Sequence, residues 1–239
     1  MPLIVIGNLI WILLVALGVS LVSIGWRARS AAEPVLGVGI MLMGPGAGLL
    51  ALALKTKIFA VGVTGVVMFG LGTTAMPVFT YLVFRRGIPA ARLFAGAMVF
   101  FTLLATVHQL ELIIHGTGAA RPSLPFLFSR MLSQGWAASE ALRFRRMYVK
   151  RLALGLADPV IANRFFLYAI WTGVLALMPV ITITAAVAGD TIGIAWQEAV
   201  LRPMRLVALI AATALYLTFL PPRRYIRWIE ARHAARSAP

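Results

Sequence analysis

A chain of 239 residues that is 61% hydrophobic and 12% charged, with a mean hydropathy of +0.93, lies well above the roughly 45 to 50% apolar usage of soluble domains. A soluble fold could not cover that much apolar surface, so the composition predicts an all-α integral membrane protein, one domain with room for six or seven spans of about 20 residues. Cysteine is absent, which excludes disulfides and thiolate chemistry. The formal charge of +15 resides on bases set between apolar runs, which points to topology and anionic lipid headgroups as partners, not to nucleic acid.

In chain order, "MPLIVIGNLIWILL" has no basic leader and no small-residue cleavage site, so it reads as a retained first span. Further spans are expected at 35–54, 58–84 and 93–115, after a first at 3–25. The second and third are rich in glycine, Gly37, Gly39, Gly44, Gly46 and Gly48 against Gly62, Gly65, Gly70 and Gly72. Such residues let backbones approach closely, which makes these two helices expected neighbours. The "MGPGAG" core, with Gly44, Pro45 and Gly46, has a second reading as a helix break lining an ion site.

The stretch 121–156 is weakly apolar, and it decides between six and seven spans. The overall split of bases between the two sides hardly separates the alternatives, but a six-span chain would export the compact "FRRGIPAAR" cluster. Short loops weigh most in the positive-inside rule. Seven spans are therefore expected, adding 123–142, 165–188 and 205–221, with the N-terminus outside and the C-terminus cytoplasmic. These make a transmembrane domain of 1–221 and a basic tail of 222–239. The arginine-over-lysine habit suggests a GC-rich bacterial genome, hence a plasma (inner) membrane.

The fifth helix should run on past the bilayer and stop near Gly155, with Asp158 as N-cap and Pro159 opening the sixth. That leaves a basic cytoplasmic surface of Arg143, Arg145, Arg146, Lys150, Arg151, Asp158 and Arg164. Pro179 should bend the sixth helix, its freed carbonyl answered by neighbouring threonines. In the tail, Tyr225, Trp228 and Ile229 fall at i, i+3 and i+4 among arginines, the pattern of an amphipathic helix lying at the headgroups.

The chemistry-bearing stretch is "VHQLELIIH", 107–115. His108, Glu111 and His115 share one helical stripe, and a carboxylate in the bilayer normally faces the interior and finds a partner. Arg130, at matching depth on the next helix, is the expected partner of Glu111, with Gln134 extending the network. Three readings stay open: a buried ion pair fixing two helices, an outward-opening ligand pocket, or proton or metal chemistry with Asp190 and Glu198 joining at the rim. The histidine spacing argues against zinc, so no metal site is assigned and the cofactor stays unidentified.

Seven helices with an outer N-terminus, a long basic fifth connection, Pro179 and a tail helix resemble rhodopsins and G-protein-coupled receptors in outline. The motifs depart from that pattern: 205–221 holds no lysine for retinal, "TYLVFRRG" lacks the acidic-arginine-tyrosine signature, and "TFLPPRRY" matches their asparagine-proline motif poorly. The resemblance implies a receptor-like sensor. A small hydrophobic ligand would bind in the outer half and a separate cytoplasmic signalling protein would receive the signal, with a homo-oligomer also open. The alternative is a small transporter or channel with Glu111 and "MGPGAG" on its pathway. A membrane-embedded lipid enzyme comes third, because no nucleophile and base pair up.

Overall fold

The structure is a computed structural model. It describes residues 2–116, 122–192 and 196–237, with the side chains of 2–11, 54–55, 185–192, 196–205 and 236–237 not described. The described residues contain no strand and form eight helices: α1 Pro2–Ala28, α2 Ala32–Thr56, α3 Phe59–Phe84, α4 Pro89–Ile114, α5 Leu124–Ala153, α6 Pro159–Ile192, α7 Trp196–Phe219 and α8 Arg223–Ser237. Among them, four stretches are long and apolar enough to cross a membrane: Ala32–Ala53, Phe59–Phe84, Pro89–Ile114 and Pro159–Thr184. Leu206–Phe219 and Arg223–Ala235, bent by 81°, make a fifth if counted as one span. The protein is thus a helical, membrane-type chain, with four to five candidate spans by length and composition among the described residues.

Each boundary has a local cause. At the end of α5, Gly155 takes φ +70°. Its N–H bonds the Leu152 carbonyl at 3.0 Å, while the Leu156 N–H reaches Arg151 O at 2.9 Å, the paired bonds of a glycine-terminated helix. Three residues on, Asp158 Oδ1 accepts from the Val160 N–H at 2.7 Å and Pro159 opens α6, so the sixth helix starts where its N-cap and proline require. Between α3 and α4, Gly87 at φ +90° turns the chain within a few residues. α5 outruns its expected span because "RFRRMYVKRLA" is helical without being apolar, and α6 starts ahead of its own because "PVIANR" joins the apolar stretch Pro159–Thr184.

The packing divides in two. α1, α2 and α3 meet backbone to backbone. A methyl group on Gly46 would lie 2.6 Å from Phe69 N, one on Gly72 2.6 Å from Met43 N, and one on Gly37 2.6 Å from Gly18 O. The glycine-rich second and third helices are indeed neighbours. "MGPGAG" therefore packs a helix: α2 continues through Gly44, Pro45 and Gly46 without interruption. Gly44 faces Leu14 of α1, and Gly46 faces α3. The break that was the second reading of this stretch is not there, and α6 is likewise continuous through Pro179. Each proline still leaves one carbonyl, that of Met41 or Leu175, without its i+4 donor.

Toward the other side, α3, α5 and α6 meet through large side chains. Phe84 packs on Phe144 at 5.0 Å, Phe165 at 5.9 Å and Tyr168 at 5.8 Å, and Tyr168 stands edge-on to Trp171 at 5.3 Å. These residues join Leu17, Leu21, Leu36, Ile40 and Leu215 in one core. The contacts fix direction as well. Phe69 meets Phe126 and Phe84 meets Phe144, so α3 and α5 run parallel. α6 runs back along α5, with Gly173 beside Ala138 and Phe165 beside Phe144. The connections 29–31, 85–88, 154–158 and 220–222 consequently gather at one end of the bundle, with most of its arginines.

Candidate functional site

Most buried hydroxyls in the bundle are satisfied within their own helix. Thr73, Thr80, Thr102, Thr106, Thr172, Thr182 and Thr218 each donate to the carbonyl four residues earlier, at 2.7 to 2.9 Å. They are structural, since a threonine bonded to its own turn offers a ligand little. The groups that this bookkeeping leaves over define the site.

Glu140 is the one charged residue buried among the described residues, 6% exposed on the inner face of α5. Arg85, at the C-cap of α3, donates from Nη2 to Glu140 Oε1 at 2.6 Å. The tight turn at Gly87 holds Arg85 at the basic end, and its side chain keeps 24% exposure. Glu140 Oε2 is sealed from solvent without a hydrogen-bond partner. Two more polar atoms in the neighbouring core share that condition, Trp171 Nε1 and Tyr168 Oη. The Tyr168 hydroxyl approaches Thr80, whose own hydroxyl is engaged by Met76 O, and it meets no partner at full hydrogen-bond geometry. An unpaired buried polar group costs about 1 to 3 kcal/mol, so a native core retains several together only for a reason. Among them are one acceptor, Glu140 Oε2, and one donor, Trp171 Nε1.

A second polar group lies on α5 toward the opposite end. Arg130 is half-buried, with its guanidinium 4.2 Å over the Phe69 ring. Ser129, Ser133 and Gln134 are buried on the same side of the helix, and Gln134 Oε1 is unpartnered. Ser129 and Ser133 donate to carbonyls of their own helix.

The expected network around Glu111 is rearranged. His108, Glu111 and His115 lie on the outside of α4, exposed. His108 Nδ1 is 3.9 Å from Glu111 Oε2, with 47% and 63% of the two side chains exposed. Glu111 is not paired with Arg130, which stacks on an aromatic ring and makes no ion pair among the described residues. The inward residue of that stretch is Gln109, 3% exposed, whose Oε1 accepts from the Ser123 N–H at 2.5 Å and so steadies the start of α5. The helix therefore presents the face opposite to the one that its histidines suggested. Asp190 and Glu198, weighed as rim ligands, lie outside the described side chains. Among the described residues no three histidine or acidic side chains converge as metal ligands.

The basic surface takes shape where the fifth connection put it. Arg143, Arg146, Lys150, Arg151 and Arg164 are exposed, and Asp158 is engaged as the N-cap of α6. Arg145 lies 4.2 Å over the Phe166 ring and Arg151 5.9 Å over Tyr148. α8 is attached to this end: Asn163 Nδ2 donates to Tyr225 Oη at 3.0 Å, and Ile229 is buried. Tyr225 stacks on Trp228 at 5.8 Å, and Arg232 lies over the Trp228 ring.

Reading the residues in order missed Arg85, Glu140, Tyr168 and Trp171. One signal was present: Glu140 is the only acid in 121–156, and an acid inside a span requires a base nearby. Comparison with known proteins adds no relative: no family model, no curated protein and no solved structure matches the chain.

Proposed function

We infer that the chain is a receptor-like membrane sensor with seven spans, its N-terminus outside and its basic end in the cytoplasm. The observation that carries this reading is the part-buried Arg85–Glu140 pair with one carboxylate oxygen unbonded, in a core that also leaves Trp171 Nε1 without a partner. Buried ionisable groups in a bilayer are costly, and they mark function more often than stability. The concentration of arginines at one end supports the orientation, since bases accumulate on the cytoplasmic side.

In this reading the ligand is small and largely apolar, with one polar group that donates to Glu140 Oε2 or accepts from Trp171 Nε1. The site belongs to α3, α5 and α6, not to the outward-facing stripe of α4. A donor on Oε2 draws charge from the carboxylate and loosens the hold of Arg85 on Oε1, and so discriminates between a tied and an untied state of α5, the differential contact that a population shift needs. The basic extension of α5 and the attached α8 then carry the change to a separate signalling protein.

A transporter is the second reading, favoured by one observation. Ser129, Arg130, Ser133, Gln134 and Glu140 line one side of α5 over about 16 Å of helix rise, a polar track through an apolar bundle. Reconstituted protein decides between the two. Saturable binding of a radiolabelled amphiphile without solute or ion flux across liposomes supports the sensor, and measurable flux supports transport. Both readings fall if Glu140→Gln only lowers the melting temperature and leaves binding and flux intact.

A further inference from the structure

α6 and α7 leave a groove of about 350 Å³ between them, open to the outside of the bundle and lined by Leu167, Leu209, Ile210, Thr213, Ala214 and Leu217. The lining is almost wholly apolar, and in a bilayer such a groove faces hydrocarbon. It runs lengthwise, since Leu209 and Leu217 on α7 are separated by about 12 Å of helix rise. That shape fits a single acyl chain.

The groove's upper end lies beneath the basic end of the bundle. Arg164 precedes Leu167 by three residues on α6, so it stands one turn nearer the basic end on the same stripe, and it is exposed. Across the groove, α7 ends at Phe219 and the chain bends by 81° into α8, whose first residues, Arg223 and Arg224, are exposed. The Asn163–Tyr225 hydrogen bond holds α8 to α6 at this level. The positions at both sides of the slot's basic end are thus exposed arginines, Arg164 on α6 and Arg223 at the start of α8. Of the nearby acids, Asp158 is engaged in capping α6 and Glu230 is exposed on α8.

We propose that this groove is a specific site for an anionic glycerophospholipid, one acyl chain between α6 and α7 and the phosphate held by Arg164 and Arg223. Arginine suits the task because its planar fork pairs with phosphate oxygens two at a time, and basic residues at the headgroup level attract anionic lipid. The site is independent of the sensor reading, because none of its residues touches the Arg85–Glu140 pair.

The test is native mass spectrometry of the full chain released from micelles doped with dioleoyl phosphatidylglycerol or dioleoyl phosphatidylcholine. Wild-type protein should retain one phosphatidylglycerol at about thirtyfold lower lipid concentration than phosphatidylcholine, the scale set by two headgroup-level arginines. The double variant Arg164→Gln, Arg223→Gln should lose that preference. Thr213→Trp, at an exposed position on the groove wall, should reduce retention of both lipids. Equal retention of the two lipids by wild type, an undiminished preference in the double variant, or unchanged retention in Thr213→Trp would each overturn the proposal. So would a lipid-free dimer that Thr213→Trp disrupts, because the groove would then belong to a second copy of the chain.

Discussion

The α1–α2–α3 side and the α3–α5–α6 side of the bundle solve the same packing problem by opposite means. On the first, glycines bring main chains together until no methyl group fits at Gly37, Gly46 or Gly72. In a bilayer, where helices gain little by leaving lipid, such close contact supplies van der Waals attraction. On the second, aromatic rings fill wider gaps and polar atoms are left unbonded among them. A surface without side chains has one way to fit, whereas a surface of rings and unpaired polar groups has several. In the proposed sensor the glycine side is thus the frame and the aromatic side the part that responds.

Four substitutions test that contrast, taken from the largest expected effect. Gly46→Leu must push α3 away from α2 and should cost about 3 kcal/mol or more, read as a large fall in melting temperature in detergent; a small fall would remove the idea of a rigid frame. Glu140→Ala leaves Arg85 facing the core without a partner and should cost about 2 kcal/mol, below the usual range for a buried pair because Arg85 is partly exposed. The same loss should largely disappear in the double variant Arg85→Met, Glu140→Met, and persistence of the loss would show that the pair itself is not what matters. Tyr225→Phe removes the bond from Asn163 and should cost about 1 kcal/mol. Proteolysis within α8 should quicken while the core transition stays in place. Glu111→Gln should change stability by less than about 0.5 kcal/mol, as an exposed pair does; a larger effect would return that stripe to the interior.

The sequence carried the local events of this fold and some of its pairings. Gly155, Asp158 and Pro159 mark the α5–α6 boundary because caps are local chemistry, and the glycines of the second and third spans mark a shared interface because close approach has few other causes. The orientation of α4 was not readable. In a membrane helix the lipid-facing and core-facing sides are both apolar, so periodicity gives little sign of which faces inward. The polar residues then mislead: His108 and Glu111 lie outside near the helix end, while a single glutamine between them is buried. The Arg85–Glu140 pair was hidden for a different reason. It joins α3 to α5, which are not consecutive, and the expectation for Arg130 had assumed that consecutive helices supply each other's partners.

The turn between α5 and α6 has a mechanical consequence. Only 154–158 separate the two helices, and hydrogen bonds on both sides hold this stretch, so it acts as a stiff joint. From Glu140 to Ala153, α5 extends about 20 Å at the usual rise. Pivoted at the ion pair, that arm multiplies displacement: a tilt of roughly 5° carries its tip about 2 Å over the same length of helix. The start of α6 is dragged along, and α8 is coupled to it through Asn163. In the proposed sensor, a ligand that altered the grip on one carboxylate would in this way reshape an arginine-covered lever far larger than itself.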